Sequence, residues 1–303
     1  MQKNILKICY CGLSNAGKTS IILSLEREYA ELSRITPTLG IDRTTIDLLK
    51  SDVLSLWDMG GQEKFREKYI DEVRSFLDTD LIFYVVDIRD DELYDATLTY
   101  YKEILKVLKE SNEDPEIIVC FHKFDPNIEN KLQYIKNVEN LQKLFEENTE
   151  KDLRFFKTSI YNKKSLIESF SSGISTLIPD LNNIDLILNL FIDEAEIEGI
   201  LFFEKNSLIL SESYRKEEDK SLFLTIITDM LTTLENIKEI QRVNEIHMVL
   251  NRQLHFLLKN VIIDKTDFFT AIVCKDKDNI QEIWNKFLKN EFPKIEKILL
   301  ERK

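Results

Sequence analysis

Several residue types are scarce in this chain, and their scarcity excludes whole classes of protein. Its 303 residues include only 4 cysteines, too few for the disulfide framework of a small secreted protein. Cys9 and Cys11 alternate within an apolar run, which is the spacing of a strand rather than of a metal-binding loop. We therefore expect reduced, apolar cysteines and a cytoplasmic protein.

Basic residues and long apolar runs are also lacking. The 41 lysines and arginines are outnumbered by 54 acidic residues, which leaves a formal net charge of −13. An acidic chain repels phosphate backbones, so we expect no nucleic-acid partner. No apolar run approaches the roughly 18 residues of a membrane span. Because residue 2 is Gln and the last residues given are Glu301-Arg302-Lys303, we expect neither myristoylation nor prenylation. We expect no direct membrane insertion, and any recruitment to a membrane would come through partners.

The first 180 residues alternate short apolar runs with helical patterns. Near-continuous apolar strands separated by helices predict a mostly parallel sheet with helices on both faces, an α/β fold. We place its strands at 5–11, 44–49, 53–57, 81–86, 117–121 and 153–158, and its helices at 20–29, 93–108, 132–145 and 165–178.

A different pattern follows Pro179, which stops the last of these helices. We place a domain boundary there, between 1–180 and 181–303. The second domain reads α-β-β-α-β-β-β-α, and the apolar stripe of its long helix, which includes Leu222 and Ile227, is expected in the core. His247 and His255 fall in strand-like runs without other metal ligands, so we expect sheet packing or solvent exposure of both. The predicted elements are helix 184–194, strands 200–203 and 208–210, helix 217–240, strands 246–250, 254–263 and 268–273, and one amphipathic C-terminal helix.

A phosphate-binding loop is predicted where the first strand meets the first helix. Residues 12–19 fit the pattern G-x-x-x-x-G-K-[ST] in the strand–helix context that gives this pattern its meaning. Glycines let the backbone curl, so that its N–H groups and the helix N-terminus bind anions. Lys18 is expected to contact the β- and γ-phosphates, and the Thr19 hydroxyl to bind Mg²⁺. The nucleotide-binding residues predicted here are Gly12, Ser14, Asn15, Ala16, Gly17, Lys18, Thr19 and Ser20.

Two further segments predict the groups around a γ-phosphate. Asp58 ends an apolar strand, where a carboxylate that holds Mg²⁺ belongs. The N–H of Gly61 is expected to approach the γ-phosphate, and Gln62 to orient the attacking water. Thr38, in the loop before the strand pair, is expected to bring its hydroxyl and carbonyl to Mg²⁺ and the γ-phosphate only when a triphosphate is bound. The predicted catalytic residues are thus Lys18, Thr38 and Gln62, and the predicted metal ligands are Thr19, Thr38 and Asp58.

The ends of the next two strands predict a site for the base. Asp125 is able to accept hydrogen bonds from N1–H and the 2-amino group of guanine, groups that adenine lacks. A buried, unpaired carboxylate against adenine would cost on the order of several kcal/mol, which favours GTP over ATP. The stem of Lys123, after His122, is expected along the base plane. A loop N–H at Ser159 or Ile160 is expected to meet guanine O6.

This order of motifs resembles the Ras superfamily and, more narrowly, the Rag/Gtr GTPases. The base motif His122-Lys123-Phe124-Asp125 begins with His, as in Rag/Gtr proteins, and Thr158 to Tyr161 resembles their last guanine loop. The tail resembles their roadblock (longin-like) domain. Segments 12–19 and 37–40 are closer to Arf-like GTPases. The resemblance implies GTP/GDP and Mg²⁺ as cofactors, and activating and exchange proteins as regulators. It also implies a homo- or heterodimer through 184–303, with the edge segment 245–251 completing a shared sheet, and a roadblock-containing scaffold in nutrient signalling.

Hydrolysis is expected to be slow without a partner. An arginine supplied in cis would sit two residues before the switch threonine, but that residue is Thr36. Arg34 and Arg43 lie nearby and are expected to be solvated loop charges. Three functions remain open on the sequence alone: a regulated GTPase switch, a GTP-binding scaffold or Arf-like trafficking protein, and an ATP-using P-loop enzyme.

Overall fold

The chain forms two compact units, each built around one sheet. The computed structural model describes residues 4–26, 32–49, 52–204, 208–236, 244–250, 253–275 and 279–301. The first unit comprises 1–48 and 52–173, and the second comprises 49–51 and 174–303. Parts of four predicted features, residues 27–29, 50–51, 237–240 and 251, lie outside the described residues.

The sheet of the first unit confirms the predicted α/β architecture. Its strand order is β2-β3-β1-β4-β5-β6, and β3, β1, β4, β5 and β6 all run parallel. The central strands are buried along nearly their whole length, because helices cover both faces of a parallel sheet. The strands are β1 (Asn4–Cys11), β2 (Ile41–Leu49), β3 (Asp52–Met59), β4 (Leu81–Asp87), β5 (Glu116–His122) and β6 (Arg154–Thr158).

Aromatic clusters fill both faces of this sheet. Tyr84 of β4 packs edge-on against Tyr101 and Phe145, which lie on α3 and α4 as defined below. On the opposite face Phe83 stacks against Tyr10 and against Phe170 of α5, because successive residues of a strand point to opposite sides. The helices are α1 (Lys18–Leu25), α2 (Glu63–Asp71), α3 (Tyr94–Ser111), α4 (Leu132–Glu147) and α5 (Lys163–Leu177).

Helix α2 is an element that the sequence pattern does not predict. Six of its nine residues are charged, and Tyr69 is its buried residue, so it lacks the apolar stripe that reveals most helices. The helix begins directly after Gln62, whose carbonyl accepts the N–H groups of Phe65 and Arg66. Its position therefore matters for the site described below.

The second unit has the predicted order of elements, with one correction at its end. Its antiparallel sheet has the order β8-β7-β11-β10-β9. The predicted single C-terminal helix is two helices, α8 and α9, and Pro293 lies in the first turn of α9, where its missing N–H is tolerated. The elements are α6 (Leu181–Ala195), β7 (Gly199–Glu204), β8 (Ile209–Tyr214), α7 (Glu217–Asn236), β9 (Glu245–Leu250), β10 (Leu254–Ile263), β11 (Thr266–Cys274), α8 (Ile280–Asn290) and α9 (Phe292–Leu300).

Helices also cover both faces of the second sheet. Leu224 and Ile227 of α7 join the cluster that contains Leu201 of β7, so Ile227 lies in the core as predicted. Leu222, also assigned to that stripe, is 43% exposed, because the face that packs on the sheet is centred on its neighbours in sequence. On the other face the hydroxyl of Ser211 donates to Asp185 of α6.

The two histidines of this unit lie on neighbouring strands, β9 and β10. His255 is buried and His247 is exposed, and their ring nitrogens lie 3.3 Å apart. Across the described residues, no group of three or more His, Cys, Asp or Glu side chains is arranged to hold a metal ion. All four cysteines are free and buried. None of the helices in the described part of the chain has both the length and the apolar character needed to cross a bilayer.

Candidate nucleotide site

The loop between β1 and α1 has the backbone of an anion-binding loop. Gly12 and Gly17 adopt φ angles of 140° and 101°, and Asn15 between them adopts 63°. A Cβ on Gly12 would lie 2.2 Å from the carbonyl oxygen of Val85, so no other residue fits there. Such left-handed residues close a concave nest of N–H groups, which is suited to phosphate.

Lys18 lies folded against this loop. Its Nζ donates to the carbonyl oxygens of Gly12 and Leu13, at 3.0 and 2.8 Å, and the residue is buried. Burial lowers the pKa of Lys18 to about 8, and the nearby Asp58 carboxylate partly opposes that shift. The amine is therefore held at the phosphate loop by neutral carbonyls, which a phosphate oxygen would outcompete as a charged partner.

The three predicted metal ligands converge beside Lys18. The hydroxyls of Thr19 and Thr38 lie 2.5 and 2.9 Å from Oδ2 of Asp58 and 3.1 Å from each other. Oδ1 of Asp58 is buried and has no hydrogen-bond partner among the described residues, and such an orphaned oxygen is costly unless a cation or donor meets it. One carboxylate with two hydroxyls suits Mg²⁺, which keeps several waters and takes the rest of its ligands from phosphates. These residues fit the ion.

A polar cleft opens in front of the loop and the threonine–aspartate cluster. Its volume is about 210 Å³. It brings six of the eight predicted phosphate-loop residues, all but Gly12 and Ala16, together with Thr38, Gly61 and Gln62. The cleft is lined by Ser14, Asn15, Gly17, Lys18, Thr19, Ser20, Ile35, Thr36, Pro37, Thr38, Gly61 and Gln62.

The segment after β3 closes against both the phosphate loop and the Thr38 loop. A Cβ on Gly61 would lie 2.3–2.4 Å from backbone atoms of Leu13 and Ser14, so this glycine touches the loop directly. The N–H of Gly60 donates to the carbonyl of Gly40 at 2.8 Å. The same carbonyl accepts the hydroxyl of Tyr69, on α2, at 2.6 Å. These contacts couple the segments expected to respond to a γ-phosphate.

The base end of the site is centred on Asp125. This carboxylate is buried, and its Oδ1 accepts the hydroxyl of the buried Ser159 at 2.6 Å. Its Oδ2 accepts Nη1 of Arg89 at 3.3 Å. The two strand ends that the sequence predicts for base recognition therefore meet, through Asp125 after β5 and Ser159 after β6.

Lys123 and His122 join the base end to the phosphate loop. Nζ of Lys123 contacts the carbonyl of Asn15 at 2.6 Å and Oδ2 of Asp87 at 2.5 Å. A Cβ on Gly17 would lie 2.3 Å from Cδ2 of His122, so the histidine ring occupies the space beside that glycine. Burial, with the cations of Lys123 and Arg89, lowers the pKa of His122 to about 3, and the imidazole is neutral.

The geometry and the comparison with known proteins agree. The model of the Gtr1/RagA G protein conserved region matches residues 7–240, more than half of the chain. The chain belongs to the Gtr1/RagA G protein family. It is a small GTPase, as the order of its motifs predicts.

Three relatives show how far this likeness extends. The G protein is 29% identical to Ras-related GTP-binding protein A of Dictyostelium discoideum over 216 residues, 69% of this chain and 70% of that protein. It is 29% identical to the human Ras-related GTP-binding protein C over 216 residues, 67% of this chain and 52% of that protein. It is also 33% identical to ADP-ribosylation factor-like protein 3 of Saccharomyces cerevisiae over 143 residues, 46% of this chain and 70% of that protein. The similarity to an Arf-like protein agrees with the mixed character predicted for its loops.

A few predicted site residues of this G protein have less definite places. Ala16 is buried within the loop, and Ile160 follows Ser159 at the base end, where its contact with guanine O6 stays a prediction. Arg43 is exposed, as expected, but it lies on β2 rather than in a loop, and its guanidinium stacks on Trp57, 3.8 Å from the ring centre. Lys7 is a second cation over the same ring, with its Nζ 4.0 Å from the ring centre.

Four residues near the site were missed by sequence reasoning. Asp87 ends β4, directly beside His122 in the sheet, and the carboxyl end of a parallel strand is where ligands bind. That position was a usable signal. Arg89 and Tyr69 had no motif to mark them, because their partners lie 36 and 29 residues away in sequence. Arg66, whose Nε donates to the carbonyl of Gly61 at 3.1 Å, lies on the helix α2 that the sequence pattern does not predict.

Proposed function

We propose that this G protein is a GTP/GDP switch that binds guanine nucleotide with Mg²⁺ and hydrolyses GTP slowly. The observation that carries the proposal is the convergence of a phosphate loop, a Thr19–Thr38–Asp58 cluster and the Asp125 carboxylate. Lys123 spans the distance between the base end and the loop through its contact with the carbonyl of Asn15. One nucleotide would therefore engage all of these groups.

Phosphate binding would rest on the loop backbone, Lys18 and the metal ligands. Thr19, Thr38 and Asp58 would hold Mg²⁺, which neutralises the charge that develops on the transferring phosphoryl group. Gln62 lines the cleft, as required of a residue that orients the attacking water. Its carbonyl is already fixed by the first turn of α2, so the side chain projects from an anchored backbone.

Guanine selectivity would come from Asp125. Its carboxylate is buried and would lie against the edge of the base. Two N–H groups of guanine would donate hydrogen bonds to it, whereas adenine would leave it without a partner. Ser159 holds Oδ1 in place at 2.6 Å. Because that bond uses one lone pair, the oxygen retains acceptor capacity for the base.

The switch would work through the loops that meet at Gly40 and Asp58. Thr38 already lies in hydrogen-bond contact with both Thr19 and Asp58, and Gly40 contacts both Gly60 and Tyr69. A γ-phosphate at the cleft would add ligands to Thr38 and Gly61 together. Loss of that phosphate would release both segments, and a partner reading their surface would sense the difference.

Slow turnover follows from the charges near the cleft. Position 36 is threonine, and Arg66 donates to a backbone carbonyl of Gly61 instead of pointing free toward the phosphates. An arginine from an activating protein would raise the rate by about 10³–10⁵-fold. An exchange protein would then be needed to release GDP.

The nucleotide is tested by denaturing the purified chain and identifying what it releases, with GDP or GTP expected. Asp125→Asn should weaken GTP binding by about 100-fold, because two charge-assisted hydrogen bonds are lost. The variant should gain xanthine nucleotides, whose O2 accepts from the new amide. The exposed Glu129→Gln serves as the matched control. Release of adenine nucleotides, or equal competition by ATP, would contradict the proposal.

We also propose a division into a GTPase domain, 1–180, and a roadblock-like dimerisation domain, 181–303. Strand β9 stands at the end of the second sheet, and alternate residues along it are exposed. An edge strand exposes unpaired backbone groups that invite another strand. Val249, which is 47% exposed there, adds an apolar contact for a second copy or for another family member.

The dimer is tested by sedimentation of the full chain at micromolar concentration, alone and mixed with a second G protein of the family. Val249→Lys should weaken association by at least tenfold, because a charge would be buried at the seam. Ile262→Lys is the matched control, since Ile262 is 64% exposed on a strand of the same sheet. A monomer under both conditions would contradict the dimer.

The family suggests where such a switch would act. Both A-type and C-type relatives match this chain over similar lengths, which favours pairing between family members. We propose a cytoplasmic protein that partners recruit to a membrane-bound, roadblock-containing scaffold for nutrient signalling. Co-purification with such a scaffold, changed by Gln62→Leu, would support this role over that of a GTP-binding scaffold with irrelevant turnover.

A further inference from the structure

Arg89 lies between two carboxylates at the base end of the site. Its Nη1 is 3.3 Å from Oδ2 of Asp125, and its Nε is 3.9 Å from Oδ1 of Asp87. The arginine side chain is 45% exposed, whereas those of Asp125 and Asp87 are 11% and 14% exposed. The guanidinium therefore comes from the solvent side and covers a nearly buried carboxylate.

Both oxygens of the base-recognition carboxylate are engaged in this arrangement. Ser159 donates to Oδ1 from within the protein, and it is almost fully buried. Arg89 donates to Oδ2 from the surface. Guanine presents two parallel donors and needs both oxygens of Asp125. Ser159 donates from the buried side and leaves the outer side of Oδ1 open, whereas Arg89 covers Oδ2 from the solvent side, from which a base would have to enter. The guanidinium is therefore the group that competes with the base.

Asp87 offers Arg89 a second position close at hand. Its Oδ1 already accepts the backbone N–H of Arg89 at 3.0 Å, while its Oδ2 is held by Lys123 at 2.5 Å. A small rotation of the arginine side chain would exchange one carboxylate for the other. The cation would stay paired, so the exchange would not require bringing an unpaired charge into the protein.

We propose that Arg89 is a positioning residue that closes the base site when nucleotide is absent and moves to Asp87 when guanine enters. The proposal rests on the guanine-binding function assigned to Asp125. In this arrangement the Arg89–Asp125 pair competes with the base, so it slows nucleotide association and weakens affinity. Because the Arg89 side chain is 45% exposed, solvent weakens the pair, so we expect a change of a few fold in binding rather than its loss.

The test is the association rate of GDP carrying a fluorescent ribose label with the nucleotide-free full chain, at 50 mM and 500 mM salt. Arg89→Ala should raise the rate by about two- to fivefold at low salt. The advantage should shrink at high salt, because salt screens the pair in the native protein. The association rate of Arg89→Lys should fall between those of the native chain and Arg89→Ala.

Lys106→Ala is the matched charge control. Lys106 is an exposed cation on α3 that pairs only with Glu110 one turn away among the described contacts. Its loss removes the same charge without touching Asp125, so it should slow association with an anionic nucleotide slightly, the opposite direction from Arg89→Ala. A merely structural Arg89 would likewise slow binding when removed and lower the melting temperature.

The outcomes separate the two proposals. An unchanged or slower rate in Arg89→Ala, with guanine preference still dependent on Asp125, overturns the role of Arg89 alone. Failure of the native chain to bind guanine nucleotides overturns both. The role of Arg89 is supported if Arg89→Ala binds faster than the native chain at an unchanged melting temperature, while Lys106→Ala binds no faster than the native chain.

Discussion

The phosphate end and the base end of the site are built in different ways. At the phosphate end most contacts come from one continuous loop, 12–19, whose shape depends on glycines at left-handed angles. At the base end the contacts come from three strand ends, after β4, β5 and β6, which are joined by charges. The phosphate end is therefore formed mainly by the backbone, and the base end by a network of side chains.

This difference explains how each end responds to change. A glycine loop tolerates no added side chain, because the backbone of Val85 and the ring of His122 lie against Gly12 and Gly17. A charge network tolerates changes of shape but depends on partners from several elements. The two ends touch where Gly17 meets His122, so a substitution there affects both.

Gly17→Ala should have the largest effect. The new Cβ would be 2.3 Å from a ring atom of His122, at a φ of 101° that alanine rarely adopts. We expect the free energy of unfolding to fall by about 3 kcal/mol, with nucleotide binding lost. Gly40→Ala isolates the strain, because Gly40 has a φ of 88° and no atom within 4 Å of its Cβ position. Urea unfolding measures the stability of both variants. Equal losses of stability in Gly17→Ala and Gly40→Ala would show that the contact between Gly17 and His122 does not matter.

Asp58→Asn should act at the phosphate end alone. The amide keeps the size of the side chain but removes the charge beside Thr19 and Thr38, so we expect Mg²⁺-supported nucleotide affinity to fall by about 10- to 100-fold. The measurement is nucleotide binding during a magnesium titration. Guanine-over-adenine preference should persist, and the exposed Asp71→Asn should behave like the native chain. A lost base preference would mean that the two ends are not separable.

His122→Asn should change the pH dependence of stability. The pKa of His122 is lowered to about 3, whereas the unfolded chain takes up this proton near pH 6.5. The folded state therefore loses stability as pH falls below 6.5, by about 2 kcal/mol at pH 5. Between pH 7 and pH 5, urea unfolding of the variant should therefore show a loss of stability about 2 kcal/mol smaller than that of the native chain. Parallel pH profiles for His122→Asn and the native chain would refute a neutral buried imidazole.

Tyr69→Phe should have the smallest effect. Its hydroxyl donates to Gly40 at 2.6 Å, but that carbonyl keeps the N–H of Gly60, so about 1 kcal/mol of stability should be lost. Tyr161→Phe, at a base-end tyrosine that is 75% exposed, should change stability by less than about 0.5 kcal/mol. Thermal unfolding of both variants provides the comparison, and equal shifts would show that the Tyr69 contact contributes nothing specific.

The accuracy of the sequence predictions follows the same division. The strands β1, β4 and β5 and the helices that follow them were predictable, because burial on both faces and helical periodicity appear in short windows. Helix α2 was not, because it has little apolar surface. The split of the last helix was missed, although Pro293 marks it. Proline breaks the interior of a helix but is tolerated in its first turn, so Pro293 marks the start of a second helix.

The sequence by itself determined the phosphate loop and its family, because glycine, lysine and threonine at fixed spacing dictate a local backbone and its chemistry. It also placed Asp58 and Asp125 at strand ends. Only the tertiary structure decided that Arg89 faces Asp125, that Lys123 reaches the carbonyl of Asn15, and that Tyr69 holds Gly40. Those contacts join residues 29 to 108 positions apart, and a parallel sheet brings its strand ends together only once the whole unit has folded.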